Sequence, residues 1–300
     1  TLCTLGIYSA WAKVRTTNYF YGNTKLSGSS FSYTANPIAI LKGRILAFIV
    51  LMVYSFISQS SPEMGGLLIL ILFLCSPFLI VRSLDFRFQN TEYRGLKFGF
   101  TGKFGEAFKV FIGGYLLVAL SLGVLFPWWE KMRKTFFVEN IRFGNSQFNC
   151  NPALSIFYKT AGLIFVIIAF YLVFIFFFLR VTGGGELFIV LIYPMLGVLA
   201  AFWFSRITNH IFASSNLGDI RFKSELKTSE LIGLWVVNLI LLGITLGLAT
   251  PWVMVRNARY RISKTAVLAD DLGSFCSHEK SKVSSIAEEI GEALDVDLSI

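Results

Sequence analysis

The chain has 300 residues, of which 55% are hydrophobic, 16% aromatic and only 15% charged. That is too little polar surface to cover a soluble globule of this size. The net charge of +9 comes from basic residues flanking hydrophobic runs, which points to anionic lipid as their partner and away from nucleic acid.

Residues 1–8 read Thr-Leu-Cys-Thr-Leu-Gly-Ile-Tyr and align with residues 243–249, the end of the last hydrophobic stretch. The chain is therefore expected to begin inside the final turns of a helix that precedes it. Trp11, Lys13, Arg15 and Tyr19 come next, then a polar stretch at 24–33 that reads as a small hairpin. A spanning helix needs roughly 20 apolar residues, and residues 38–57 and 65–81 are predicted as the first two spans. Lys42 and Arg44 sit near the start of the first, where long basic side chains snorkel to headgroups, and the second stops on Arg82. A second hairpin is predicted at 93–98, and a third apolar segment at 110–126 leads into Pro127, Trp129, Lys131 and Arg133.

Another hairpin is expected at 140–148, then spans at 163–179, ending on Arg180, and at 187–204, joined by a tight turn at Gly183-Gly184-Gly185. The last hairpin is placed at 217–222 and the last apolar segment at 231–249, where Asn238 is the only strongly polar side chain. Asn238 reads first as a helix-to-helix hydrogen bond and second as a substrate ligand. Pro251, Trp252, Arg256, Arg259 and Tyr260 close that segment. From Asp270 the tail holds eight carboxylates against Lys280 and Lys282. Val283, Ile286, Ala287, Ile290 and Leu294 share one helical face, which suits packing on the protein's own cytoplasmic surface or docking a partner.

The tryptophan phrase recurs. Trp11, Trp129 and Trp252 stand 118 and 123 residues apart, each after an apolar run ending in Leu-Gly, with an arginine four residues on and an aromatic eight residues on. This period is far longer than that of solenoid repeats, so each unit is a small bundle. The expected fold is an all-α polytopic membrane protein with internal repeats of about 120 residues, each with three hydrophobic segments and short interfacial β-hairpins. The boundaries are 1–109 for the first repeat, 110–230 for the second, 231–265 for the start of a third, and 266–300 for an acidic cytoplasmic tail. Proline before tryptophan bends or stops an apolar helix. Tryptophan prefers headgroup level, and the basic residues after it lie among phosphates. Trp11, Lys13, Arg15, Tyr19, Trp129, Lys131, Arg133, Trp252, Arg256, Arg259 and Tyr260 are thus candidate interfacial anchors or anionic-headgroup contacts.

The phrase Leu-Gly-x-x-x-Pro-Trp-x-x-x-Arg-x-x-x-Tyr, the Leu-Gly-Asp-Ile-Arg-Phe of residues 217–222, and Arg256-Asn257-Ala258-Arg259-Tyr260-Arg261 ahead of an acidic tail resemble the YjgN family of bacterial inner-membrane proteins. The resemblance runs over nearly the whole chain and implies a multi-pass protein of the cytoplasmic membrane. It implies no activity, the family being known as a domain of unknown function. Ala10 replaces the proline of the other copies and Phe137 replaces their tyrosine.

Catalysis finds little support. His210 and His278 show no paired metal spacing, and Cys3, Cys75, Cys150 and Cys276 contain no CxxC pair. The run Gly99-Phe100-Thr101-Gly102-Lys103-Phe104 lacks the spacing and the hydroxyl residue of a phosphate loop. The reading is therefore a non-enzyme without cofactor or metal. Its partners are anionic headgroups, a second copy of the chain in a homo-oligomer, and a partner for the tail. If all six segments span, successive units are inverted, as in transporters with a site at the repeat interface. If the segments at 110–126 and 231–249 are re-entrant, all basic loops share the cytoplasmic side, as the positive-inside rule prefers. Segment length favours spanning, so transport of a small or amphipathic solute leads, against a non-transporting scaffold or anionic-lipid-binding protein.

Overall fold

In a computed structural model of the chain, the structure describes residues 7–182, 186–269 and 271–297, with side chains at 179, 181–191, 284 and 286–297 outside that description. Leu5-Gly6, Cys3, the triple-glycine turn and the side chains of Ile286, Ala287, Ile290 and Leu294 thus lie outside the described residues. Two units emerge. One holds residues up to Leu117, Phe136–Phe148 and the C-terminal stretch, and the other holds Val118–Thr135 and Asn149–Ala269.

The long apolar runs become long helices. In the first unit these are α2 (Pro37–Ser60) and α3 (Pro62–Gln89), and in the second α7 (Leu154–Thr182) and α8 (Glu186–Ala213). Among the described residues, Pro37–Ser60, Pro62–Gln89 and Leu154–Phe178 are long and apolar enough to cross a membrane. Their large side chains face outward, with Phe56 76% and Phe170 74% exposed. A surface of that kind belongs in lipid. α2 and α3 meet at a sharp turn, where a Cβ on Gly65 would stand 2.8 Å from Ser58 Cβ.

Each long helix pair leaves a sheet and returns to it. The Thr34 N–H donates to the Asn90 carbonyl (2.9 Å) below α2 and α3, and the Asn151 N–H donates to the Ser214 carbonyl (3.2 Å) below α7 and α8. In the first unit the sheet order is β1 (Lys25–Leu26), β2 (Ser29–Tyr33), β3 (Thr91–Tyr93), β4 (Leu96–Phe100), β5 (Ile141–Phe143), β6 (Ser146–Gln147). Every pair is antiparallel, with Phe31 opposite Tyr93 and Phe98 opposite Phe143. Their rings lie 4.7 and 4.8 Å apart, cross-strand aromatic pairs of a kind worth about 0.5–1.5 kcal/mol each beyond their burial. The second unit's sheet runs β7 (Asn149–Cys150), β8 (Ser215–Leu217), β9 (Ile220–Ser224), β10 (Thr265–Leu268). An all-α description is therefore corrected: the chain is mostly helical but contains two sheets. The physical reason is that a lone two-stranded hairpin is marginal, and pairing hairpins edge to edge satisfies the edges each would expose.

The segments expected to span at 110–126 and 231–249 also differ. The first is helical only as far as α4 (Phe104–Phe108), a π-helical turn at Lys109–Gly113 and α5 (Gly114–Leu120), and the second only as α9 (Thr228–Ile244). Each run has seventeen residues, about 25 Å of helix, short of the roughly 30 Å hydrocarbon core. A turn then leads into α6 (Phe126–Glu139) or α10 (Thr250–Ser263).

The tail closes on the first unit. α11 (Leu272–Asp297) buries Cys276 and leaves Glu279 only 1% exposed. The Glu279 carboxylate accepts the Asn145 N–H (2.9 Å), the Ser146 N–H (3.2 Å) and the Ser146 hydroxyl (2.9 Å) at the β5–β6 turn. Gly144 has φ +59 there, and a Cβ on it would meet Glu279 Oε2 at 3.0 Å. Burial alone raises the Glu279 carboxyl, but the Asn145 and Ser146 donors and Lys282 outweigh it and hold the group below the ordinary glutamate range. The docked helix is thus fully held at neutral pH and loosens as pH falls through that lowered value. In a chain whose only cysteine is Cys276, Glu279→Gln is expected to speed thiol modification about 10-fold or more, since hydrogen bonds to a charged group contribute about 1.5–3 kcal/mol. An unchanged rate would mean that other contacts hold α11.

Candidate functional site

The hook helices begin at turns of one design. Leu122 (φ 50) and Gly123 (φ 89) end α5, and Leu246 (φ 48) and Gly247 (φ 86) come after α9. The Gly123 N–H reaches back to Val118 O (2.9 Å) and the Leu122 N–H to Ala119 O (3.1 Å), while Gly247 and Leu246 reach Leu242 O (2.8 Å) and Gly243 O (3.3 Å). This is the Schellman closure of a helix C-terminus. Ser121 and Thr245 serve the turn. The Ser121 hydroxyl accepts the Leu125 N–H (3.1 Å), and the Thr245 hydroxyl accepts the Ala249 N–H (3.1 Å). The left-handed conformation costs a residue with a side chain roughly 1–2 kcal/mol. It nonetheless holds leucines whose side chains point away from the protein, Leu122 at 95% and Leu246 at 92% exposure.

α10 then runs back along α9. The Asn238 Nδ2 donates to Asn257 Oδ1 (2.9 Å) midway, and at the base the Tyr260 hydroxyl accepts the Lys227 N–H (3.2 Å) and donates to Lys227 O (3.3 Å). Lys264 pairs with Glu230 (2.8 Å) at the same end. In the first unit, Phe111 meets Phe136 (6.0 Å) and Phe137 (5.7 Å), and the Thr101 N–H donates to Asn140 O (2.8 Å), so the end of α6 lies beside the start of α4.

Along each hook the tryptophan and the arginine four residues later share a face. Arg133 lies over the Trp129 ring (5.2 Å) and Arg256 over the Trp252 ring (5.3 Å), contacts worth about 0.5–1 kcal/mol where exposed. Glu130, which the sequence did not single out, is 3% exposed and paired with Arg133 (2.5 Å) and Lys134 (3.8 Å). Its signal was its place as the acid three and four residues before two cations. Lys131 is half-buried, Arg259 exposed.

The hook of the first unit, α1 (Ser9–Asn23), departs from this pattern. Trp11, Arg15 and Tyr19 are exposed. Lys13 instead lines a concavity of about 690 Å³ between α1, α2 and α3, together with Thr17, Tyr33, Gly43, Arg82 and Arg87. Arg82 appeared in the sequence only as the end of a span, and Arg87 and Tyr33 not at all. The Arg87 guanidinium donates to the Tyr21 hydroxyl (3.5 Å), and the Tyr33 N–H to Asn18 Oδ1 (3.2 Å). Burial chiefly, with Tyr21 adding and Arg87 opposing, keeps the Tyr33 hydroxyl above its ordinary pKa. Among the described residues no group of His, Cys, Asp or Glu is arranged to hold a metal.

Residues 1–293 match the family described as "Bacterial protein of unknown function (DUF898)". The chain belongs to this family. It is 24% identical to the inner membrane protein YjgN of Salmonella typhimurium, over 90% of this chain and 83% of that protein. Against the inner membrane protein YjgN of Escherichia coli O157:H7 it is 26% identical over 42% of this chain and 32% of that protein. No solved structure matches the chain. With its apolar helices, this DUF898/YjgN chain is an inner-membrane protein.

Within the family chain, the Asn238–Asn257 bond is a measurable tie between hook and helix. Asn238→Leu should lower the Tm of the full-length protein in detergent by an amount equivalent to about 1–2 kcal/mol. Adding Asn257→Leu should recover part of it, because both polar partners are then gone. A loss in the double variant equal to the sum of the two single losses would rule out a direct interaction.

Proposed function

We propose that this protein is a non-transporting membrane protein that binds anionic lipid. In this reading α2, α3, α7 and α8 cross the bilayer in pairs, and each hook is the returning arm of a helical hairpin that dips into the cytoplasmic leaflet. The observation that carries it is the return of α10 along α9, from a tip with Leu246 92% exposed to a base where Tyr260 grips Lys227. A hairpin that returns leaves the orientation of the next segment unchanged, so the inverted units required for alternating access lose their support. Basic loops then share one side, in keeping with the positive-inside rule, and α11, docked on the sheet of the first unit, lies there too. The common turn at Leu122–Gly123 and Leu246–Gly247 and the shared tryptophan–arginine stack support the reading of the chain as repeats.

Lipid binding rests on the cations that the hooks and helix ends carry beside their tryptophans, each worth about 1 kcal/mol near an anionic leaflet. Native Cys150 and Cys276 are buried and make poor reporters of sidedness. In chains stripped of native cysteines, single cysteines at Leu122 and Leu246 should resist membrane-impermeant thiol reagents from either face of intact membranes and react once solubilised. Cysteines at Ser27 and Asp219, in the hairpin turns, should react only from the cytoplasmic face. Labelling of the tip cysteines from the periplasmic face would establish a completed span and return the transport reading.

A further inference from the structure

We propose that the concavity between α1, α2 and α3 is a built site for a phosphate-bearing headgroup carrying more than one negative charge, with Lys13, Arg82 and Arg87 as its cationic walls. The inference rests on the anionic-lipid reading above and assigns it a place. Lys13 and Thr17 stand one turn apart and so share a face of α1. Arg82 and Arg87 come from the last turns of α3, while Gly43 on α2 leaves open floor, with nothing within 4 Å of where its Cβ would be.

Among the described residues none of the three cations takes part in a salt bridge. Among the described residues no carboxylate lines the space, and nearby Asp85 accepts a hydrogen bond from Gln89 (2.6 Å). Three cations without a counter-charge suit an anion of more than one charge, and the two guanidinium forks match phosphate oxygens better than ammonium groups would. The Thr17 and Ser83 hydroxyls at the same wall already donate to Lys13 O (2.9 Å) and Ile80 O (2.8 Å), which leaves recognition of the anion to the cations.

Depth and lining favour a lipid over a soluble phosphate. Arg82 lies seven residues before the end of α3, and Gly43 six residues after the start of α2, each about 10 Å of helix from the sheet. The headgroup layer is about 5–8 Å thick on each side, so with the sheet at the membrane surface both positions reach its inner edge, where headgroup meets acyl chain. Ile40, Leu84 and Phe86 line the same space, an apolar rim for the glycerol and first acyl carbons. The volume of about 690 Å³ exceeds that of a bare phosphate and lies within the range of ligand sites.

The test uses the full-length protein in neutral detergent, with native mass spectrometry of bound lipid after addition of equal cardiolipin, phosphatidic acid and phosphatidylcholine. A parallel thermal-shift titration uses inorganic phosphate and glycerol phosphate. Retention of cardiolipin or phosphatidic acid by the wild type should fall about 10-fold or more in Arg82→Gln/Arg87→Gln and measurably in Lys13→Gln. Lys13 is exposed and among the described residues forms no ion pair, so the second variant is expected to keep the fold. Arg256→Gln/Arg259→Gln should retain more lipid than the Arg82/Arg87 variant. If the hook variant loses the lipid and the Arg82/Arg87 and Lys13 variants do not, this site is overturned and the lipid reading stands. If the wild type retains phosphatidylcholine equally, both are overturned. If glycerol phosphate stabilises the wild type but not Arg82→Gln/Arg87→Gln, and no lipid is retained, the phosphate site stands with a soluble source and the lipid reading falls.

Discussion

On the proposed reading that the hook tips lie in lipid, a turn built from apolar residues has no water to rely on, so its backbone must find every hydrogen-bond partner within the turn itself. At Ser121–Leu125 and at Thr245–Ala249 this is met by the same means: two N–H groups reach back into the preceding helix, and one hydroxyl receives the first free N–H of the next. The rest of the hairpin depends on it. Only because the backbone closes on itself can leucines occupy the left-handed positions and offer their side chains outward, at a conformational cost that a glycine would avoid. The arrangement exchanges strain for an apolar tip.

At the other end of the helices the sheets play the complementary part. Helices that leave and return in pairs bring chain segments distant in sequence to one level, and antiparallel pairing fixes their register. Tyr93 lies against Phe31 only because α2 and α3 together bring the chain back to its starting height. The same return brings Arg82 and Arg87 beside Lys13, which is why the concavity exists at all. Membrane helix pairs, surface sheet and cationic wall are consequences of one geometry in the first unit.

How much of this was legible in the sequence depended on the range of the interaction. The long apolar runs, the hairpin turns at Ser27–Gly28 and Arg94–Gly95, and the tryptophan–arginine spacing are local and could be read. The ends of α5 and α9 were not, because hydropathy counts Leu122 and Leu246 as continued span and does not register a seryl or threonyl oxygen turning back on the backbone. Proline at 127 and 251 drew attention as the expected bend, yet the reversal comes four residues earlier, at Leu-Gly. Arg87 and Tyr33 escaped because a site assembled from α1, β2 and α3 has no linear motif. Glu279 was one carboxylate among eight in an acidic tail, and its burial depends on a turn more than a hundred residues away.

That last separation has a consequence for biosynthesis. Glu279 lies 134 residues beyond the Asn145 N–H it accepts, and the whole of the second unit's α7–α10 is made in between. The β5–β6 turn must therefore wait, its Asn145 and Ser146 N–H groups open to water, until the ribosome has delivered α11. The unit that holds α1–α3 thus closes only after α7–α10 have been made, and a chain halted before residue 279 would carry every described apolar helix and still lack the clasp on the β5–β6 turn.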